Sequence, residues 1–305
     1  MVYPAKPLVF VAAQVQFIST SGELWSGLTP PEEGKELFNE VFAKSEVFSF
    51  KPKRARGRQV EIFFDPICDK EGKKLLGAKI ARTKRMNYSD IENKHFVQKT
   101  ISIYPFVLML WDSNNQVLLV EQKSTVFADV TLPIQLVLLY LNSFLNTRGL
   151  IAKWEFIREK GTFWKTISDF EEIFLLKIEL IGPNFLGSTC KKAGELLKLL
   201  KNETNGTEFS MEIKNENGKV KLDQEDELTQ SVAEHVDLGG GNLRILGIKK
   251  EEKTRRKRKV NLKKQYKYIQ LDQKFDNLDY LKPEKVTEII EEVRIKRISR
   301  KKENG

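Results

Sequence analysis

The segment from Tyr104 to Leu145 constrains the fold most, because it predicts three consecutive buried elements. Tyr104–Trp111 (YPFVLMLW) is typical of a buried strand, and Gln116–Gln122 (QVLLVEQ) of the strand that returns beside it. Asp112-Ser113-Asn114-Asn115 lies between them and tolerates the tight or left-handed geometry of a turn. Leu132–Leu145 follows and is apolar nearly all round, which predicts a deeply buried helix. These elements predict a sheet covered by a helix.

Shorter patterns continue this alternation along the chain. Leu8–Ser19 predicts a strand, and the apolar spacing of Pro31–Ala43 predicts an amphipathic helix. From Ile173 onward the predicted order is strand, helix, strand, strand, helix, strand, which resembles a small ferredoxin-like or split βαβ unit. We therefore predict an α+β fold with mixed or antiparallel sheets packed against helices. We expect two domains, 1–150 with a basic hairpin and a buried helix, and 151–305 with the main basic segment and a basic tail.

The positive charge of the chain is concentrated in three runs. The formal net charge is +10, and Lys51–Arg58, Lys249–Lys267 and Arg294–Lys302 together carry more positive charge than this excess. Such clustering indicates a surface for a polyanion rather than a uniformly basic surface. Within the main basic segment, 249–267, the only acidic residues are Glu251 and Glu252. Charges this dense repel one another, so we expect the segment to stay extended and solvated until phosphates neutralise it.

These runs predict a protein that binds nucleic acid, either RNA or DNA, through Lys and Arg contacts to phosphate. The candidate contacts in the main basic segment are Lys253, Arg255, Arg256, Lys257, Arg258, Lys259, Lys263, Lys264 and Lys267. Tyr266 and Tyr268 are candidates to stack on unpaired bases. A predicted hairpin tip adds Lys51, Lys53, Arg54, Arg56 and Arg58, and a predicted strand over Leu75–Arg85 adds Lys79, Arg82, Lys84 and Arg85. Two alternatives stay open, namely an acidic protein partner and a plain solvated loop or sheet edge.

One fragment of the sequence suggests an enzyme instead. The second hairpin strand ends in Glu121-x-Lys123, which resembles the core of PD-(D/E)xK nucleases over this hairpin only. The resemblance implies that Asp112 and Glu121 hold Mg²⁺ while Lys123 polarises the attacking water or the scissile phosphate. The same Glu and Lys also suit an ordinary surface ion pair. A metal-dependent nuclease is therefore the alternative to our first expectation, a binding protein without a cofactor or metal.

Composition bounds the remaining possibilities. Cys68 and Cys190 lie far apart, and with His95 and His235 as the only histidines they predict neither a structural zinc site nor a disulfide framework. We expect a cytoplasmic protein that does not enter a membrane, because even the longest apolar run, Leu132–Leu145, is too short to span one. Other protein subunits or further copies of the chain are additional predicted partners. Richness in Lys, Asn, Ile and Phe suggests an AT-rich microbial genome, and a role in an antiviral defence complex is predicted from that alone.

Overall fold

The structure is a computed structural model that describes residues 8–20, 30–43, 46–50, 60–72, 74–92, 94–181, 191–204, 206, 208–251, 255–271 and 281–299. Helices and three antiparallel sheets make up this part of the chain, which confirms the predicted α+β class. The helices are α1 (Pro30–Phe42), α2 (Thr131–Leu145), α3 (Thr162–Ser168), α4 (Lys191–Thr204), α5 (Glu227–His235) and α6 (Pro283–Ser299). The strands are β1 (Val9–Ser19), β2 (Glu46–Phe50), β3 (Val60–Cys68), β4 (Leu75–Arg82), β5 (Lys84–Glu92), β6 (His95–Ile103), β7 (Phe106–Asp112), β8 (Val117–Glu121), β9 (Leu150–Phe156), β10 (Phe170–Ile181), β11 (Glu208–Lys214), β12 (Gly241–Lys249), β13 (Arg258–Asn261) and β14 (Tyr268–Gln270).

The large sheet is organised around β1. One edge of β1 pairs with β8 along Phe10–Gln14, and the other pairs first with β14 and then with β9 along Ala13–Ser19. From β8 the sheet continues through β7, β4, β3 and β2. The β7–β8 pair is the hairpin that the sequence predicted, and the strand predicted over Leu8–Ser19 is β1. A long strand that is buried along its length therefore forms the middle of the fold.

Helices cover both faces of the large sheet. On one face α1 and α2 bury Phe38 and Leu141 against Trp111, whose ring stacks on Phe38 with 4.4 Å between centroids. On the other face α6 buries Ile289 and Val293 against the strands β4 and β7. The alternation of side chains along each strand supplies both cores, because successive residues point to opposite faces. Among the helices described, none is long and apolar enough to cross a membrane.

The small sheet has the order β11-β10-β12-β13 and packs α3, α4 and α5 on one face. Its strand order contradicts the expected ferredoxin-like unit. In that unit the two strands joined by a helix are parallel and have another strand between them, whereas β10 and β11 are antiparallel neighbours joined through α4. The predicted strand at 220–222 is also replaced by a single bridge between Ile173 and Lys219.

Residues on both sides of position 150 contribute to the large sheet and its core. β9, β14 and α6 all lie after that residue, yet they pack in or on the large sheet. The division into domains 1–150 and 151–305 stays a prediction. What the structure adds is that the chain enters the small sheet at β10 and returns to the large sheet at β14. The main basic segment lies on this return path, between β12 and β14.

Candidate nucleic-acid interface

The main basic segment is ordered where it leaves the small sheet. Residues 258–261 form β13, which pairs antiparallel with β12 at the sheet edge. Val260 lies opposite Ile245 and is half-buried against the core of the small sheet, which fixes the strand in place. At 258–261 the segment is therefore extended and largely exposed, as expected, but it is paired to β12 rather than free in solution. Residues 252–254, which include the candidate Lys253, lie outside the described residues.

Two cations at the start of β13 contact groups of the small sheet. The guanidinium of Arg255 forms an ion pair with Glu172 and lies 3.9 Å from a carboxylate oxygen of Glu171. The ammonium of Lys257 sits 3.9 Å from the centre of the Phe174 ring, a cation–π geometry. Both contacts are at the surface, where each is worth about 1 kcal/mol or less. Their effect is to orient the segment rather than to neutralise it.

Three further cations of this segment are exposed on and beside the edge strand. Arg256 precedes β13, and Arg258 and Lys259 begin it. In the part of the chain that the structure describes, no ion pair joins Arg256 or Lys259 to an acidic side chain. Because side chains alternate along a strand and Val260 faces the helices, Lys259 points to the opposite face of the sheet. We call that opposite face, which the described helices leave uncovered, the open face.

The open face carries a row of charged groups beside Lys259. Arg244 on β12 and Lys177 on β10 both contact Glu179, with nitrogen–oxygen distances of 3.0 and 3.4 Å. Asn242 donates a further hydrogen bond to Glu179 at 3.2 Å. Burial raises the pKa of Glu179, but the bonds from Asn242 and the two cations outweigh it and hold that pKa below its usual value. These contacts hold Arg244, Lys177 and their carboxylate partner Glu179 in place on the open face.

The end of the basic segment turns away from the edge strand and enters the large sheet. Lys263 lies in the turn after β13, with its nitrogen 3.9 Å from a carboxylate oxygen of Glu155. Lys264 follows in the same turn, and Lys267 is half-buried and bonded through its backbone to Ile157. Lys267 is therefore separated from the exposed cations of β13 by the turn that contains Lys263 and Lys264.

The two candidate stacking residues differ in their surroundings. Tyr266 packs its ring on Phe156 with 4.6 Å between centroids, as part of the main core. Burial, together with a hydrogen bond to Tyr268, raises the pKa of Tyr266 to about 12. Because its ring is partly buried against Phe156 and Tyr268, Tyr266 offers less surface to a base than Tyr268 does, and its stacking stays a prediction. Tyr268 is 52% exposed, although its ring contacts that of Tyr266 edge to face with 5.2 Å between centroids.

The second predicted basic surface is described only in part. The strands that flank the predicted hairpin tip are confirmed as β2 and β3, paired from Glu46 to Phe50. The tip itself, with Lys51, Lys53, Arg54, Arg56 and Arg58, lies outside the described residues. Of the cations predicted nearby, Lys79 pairs with Asp65, Arg82 lies over the Phe127 ring, and Lys84 and Arg85 are exposed on β5.

The nuclease-like residues are not brought together. Asp112 pairs with Val117 at the turn end of the β7–β8 hairpin, whereas Glu121 lies at the other end. Four residues along a strand separate the two carboxylates by about 13 Å, too far to share one ion. Asp112 accepts hydrogen bonds from Asn115, and Lys123 lies over the Phe106 ring. Within the described ranges, no three His, Cys, Asp or Glu side chains are grouped to hold a metal ion.

Sequence reasoning missed a buried polar cluster beneath the interface. Arg158 is 4% exposed and donates to the carbonyl oxygens of Val236 at 2.6 Å, Gly241 at 3.2 Å and Leu262 at 3.3 Å. A carboxylate oxygen of Glu155 lies 3.5 Å away. Arg158 therefore ties the end of β9 to the small sheet and to the turn that follows β13. The sequence Arg-Glu-Lys-Gly gave no signal for this, because it is typical of a solvated turn.

Two titratable groups lie beside this cluster: His235 is the last residue of α5, and Asp237 lies in the π-helical turn that follows, Val236–Gly240. The ring of His235 is buried, and a Cβ on Gly240 would lie 2.0 Å from it. Burial lowers the pKa of His235 to about 4. Burial raises the pKa of Asp237 to about 6, although Asp237 accepts hydrogen bonds from the backbone of Phe163 and Gly161. Both groups act in the packing between the sheets.

No protein-family model matches the sequence, and no curated protein matches it. Function is therefore inferred from the residues themselves.

Proposed function

We propose that the chain is a nucleic-acid-binding protein that holds phosphates with the cations on and beside β13. The observation that carries this proposal is the exposure of Arg256, Arg258 and Lys259 in one short run on a fixed sheet edge. Each cation that neutralises a phosphate releases condensed counterions, which makes such binding favourable and dependent on salt. Lys259 and the cations of the open face contact the backbone in this proposal, and Tyr268 is the more exposed of the two stacking candidates.

The charge pattern favours a polyanion over the simplest structural explanation. A single lysine on an edge strand is enough to oppose pairing with another chain. Here every residue from Arg255 to Lys259 is cationic and exposed, and Arg255 and Lys257 also contact the sheet. An acidic protein partner would also suit this surface, and it is distinguished by a test with nucleic acid alone. Membership of a larger assembly, such as a microbial antiviral defence complex, stays a prediction.

The test is direct binding of the full chain to labelled single-stranded and duplex oligonucleotides of mixed sequence. We expect the triple variant Arg256→Gln, Arg258→Gln, Lys259→Gln to bind both more weakly, at least tenfold at low salt, since three phosphate contacts are lost. The matched control removes three exposed lysines elsewhere, through Lys165→Gln, Lys198→Gln and Lys221→Gln. The control should retain the wild-type affinity. Equal affinity of the wild type and the β13 variant would contradict the proposal.

A further inference from the structure

The third sheet is a two-stranded ribbon that stands away from the rest of the fold. β5 leaves the large sheet after β4, and β6 returns to it before β7. Among the described strands, β5 and β6 pair only with each other, from Lys84–Ile103 to Glu92–His95. Nine residues per strand give a length of about 30 Å. Most of its side chains are exposed, and an isolated ribbon of this kind is at best marginally stable in water. Such a ribbon is suited to act on something outside the chain.

One face of the ribbon is polar along its length. Side chains directly opposite each other in an antiparallel pair share a face. This face therefore holds the pairs Arg85–Ser102, Asn87–Thr100 and Ser89–Gln98. The hydroxyl of Thr100 donates to Asn87 at 2.8 Å, and the amide of Gln98 donates to Ser89 at 2.7 Å. The face is thus a ladder of hydrogen-bonding groups with one cation and no acid.

The polar ladder ends in two large apolar side chains at the tip. Ile91 and Phe96 lie opposite each other as the next pair of the same face. Ile91 is 66% exposed and Phe96 is 81% exposed, the two highest values among the large hydrophobic residues that the structure describes. Neither residue touches the cores of the fold. Exposure of two adjacent large apolar groups costs solvation free energy, so this pair needs a function or a cover.

The opposite face of the ribbon neutralises its own acids. The ammonium of Lys99 contacts Asp90 at 2.7 Å and Glu92 at 2.5 Å. These contacts lower the pKa of Asp90 and raise that of Lys99. Four basic residues against these two acids give residues 84–103 a formal charge of +2. A polyanion therefore meets no unpaired carboxylate on the ribbon.

We propose that the β5–β6 ribbon is an arm that lies along nucleic acid and inserts Ile91 and Phe96 between adjacent bases. The inference rests on the proposed function and specifies how the bound strand is deformed. Minor-groove and architectural proteins combine Arg, Asn and Gln contacts with apolar wedges that partly unstack a base step. A duplex groove also admits a two-stranded ribbon, and an exposed aromatic ring stacks on an unpaired base. The polar ladder followed by an Ile–Phe tip supplies both parts.

The chemistry of the two faces argues against a protein as the occupant. A protein partner would cover an apolar face, and the apolar groups of the other face, Met86 and Ile101, are less exposed at 44% and 39%. They also form a pair nearer the base of the ribbon. A nucleic-acid occupant and a protein occupant therefore predict that binding depends on different residues. The wedge depends on Ile91 and Phe96, whereas a protein or a second copy of the chain would depend on Met86 and Ile101.

The experiment uses the full chain with short duplexes and single strands that each carry one 2-aminopurine. Fluorescence of this base rises when its stacking is lost. We expect the wild type to raise the fluorescence on binding, and the double variant Ile91→Ser, Phe96→Ser to abolish the rise. Loss of one stacking contact should weaken affinity by roughly 5- to 100-fold. The matched control is Met86→Ser, Ile101→Ser, which changes the other face of the same ribbon and should behave as the wild type.

The outcomes separate the two proposals. If the wild type binds neither the duplexes nor the single strands, the proposed function and the proposed arm both fail. If it binds, but the tip variant matches it in affinity and fluorescence, only the arm is overturned. A loss of affinity in the Met86 and Ile101 control instead, or a change of mass in light scattering caused by that control, would overturn the arm and assign the ribbon to a protein contact. Circular dichroism and a thermal midpoint confirm that each variant is folded.

Discussion

The carboxylate of Glu121 accepts a hydrogen bond from the backbone amide of Leu108, with 2.9 Å between Oε2 and the nitrogen. The bond joins the end of β8 to the neighbouring strand β7, inside the large sheet. Burial is the main influence on this carboxyl and raises its pKa above the usual value, although the Leu108 bond and Lys123 oppose the shift. Glu121, which resembles a nuclease ligand in the sequence, therefore acts in this structure as a hydrogen-bond acceptor within the large sheet.

The first prediction separates the hydrogen bond of Glu121 from its charge. Glu121→Ala leaves the buried amide of Leu108 without an acceptor, which should cost about 1–3 kcal/mol of unfolding free energy. Glu121→Gln keeps an acceptor oxygen and removes a charge whose burial is unfavourable. We expect it to be within about 1 kcal/mol of the wild type at neutral pH. Urea unfolding measures both, and equal losses in the two variants would show that the charge itself is required.

The second prediction concerns the buried guanidinium of Arg158. Arg158→Met leaves three carbonyl oxygens and Glu155 without their donor, which should cost about 3–5 kcal/mol. Arg158→Lys keeps the charge but not the planar fork, so we expect it to lose about 2 kcal/mol or more. Arg148→Lys is the control, because Arg148 is exposed and 3.8 Å from Glu33. For this control, chemical unfolding should show a change in the free energy of unfolding below about 0.5 kcal/mol. A free energy of unfolding for Arg158→Lys equal to that of the wild type would contradict the claim that the guanidinium bonds hold these elements together.

The third prediction is a pH dependence in which two neighbours oppose each other. The pKa of Asp237 is raised from 3.8 to about 6, so its contribution to stability is largest in acid and decreases as pH rises through that interval. The pKa of His235 is lowered from 6.5 to about 4, so its contribution is present above 6.5 and is lost as pH falls towards 4. Each effect is about 3 kcal/mol at full extent, and in the wild type they largely cancel.

Asp237→Asn tests this cancellation. The variant removes only the carboxyl titration, so we expect its unfolding free energy to fall more steeply than that of the wild type between pH 6.5 and pH 4. The measurement is urea unfolding at several pH values. The quantity compared is the slope of the unfolding free energy against pH, not a constant difference between the two proteins. Any constant offset reflects the altered hydrogen bonds to Gly161 and Phe163. Parallel curves for the two proteins would contradict the prediction.

The fourth prediction uses two glycines with the same backbone conformation. Gly161 and Gly239 have φ of 84° and 85°, where an alanine costs about 1–2 kcal/mol. A Cβ on Gly161 meets nothing within 4 Å, whereas on Gly239 it would lie 2.9 Å from Gln14 and from the carbonyl oxygen of Glu155. Gly239→Ala should therefore destabilise by about 1–3 kcal/mol more than Gly161→Ala. Thermal unfolding compares them, and equal midpoints would exclude close packing of this turn on β1 and β9.

The sequence predicted the parts of the fold whose pattern is local. The β7–β8 hairpin and α2 were predictable because each is an unbroken apolar run bounded by turn residues. The pairing of β14 with β1 was not, because Tyr268 and Val11 meet only through the tertiary fold. The β5–β6 ribbon was also missed, since both its faces are exposed and leave no alternation with a core.

The candidate site was predictable in charge but not in geometry. The run from Arg255 to Lys259 is evident in the sequence, yet nothing in it distinguishes Lys257 over Phe174 from the exposed Lys259. Tyr266 looks equivalent to Tyr268 until the core position of its ring is known. Burial is a property of the whole fold, and a local pattern of aromatic and basic residues does not contain it.

The most direct test of the account is the salt dependence of binding to a duplex oligonucleotide. The logarithm of the binding constant should fall linearly with the logarithm of salt concentration, by about 0.9 for each phosphate contacted. For the variant Arg256→Gln, Arg258→Gln, Lys259→Gln we predict a slope shallower by roughly 2 to 3 than that of the wild type. The lysine control should keep the wild-type slope. An unchanged slope in the β13 variant would contradict the claim that these cations hold phosphates.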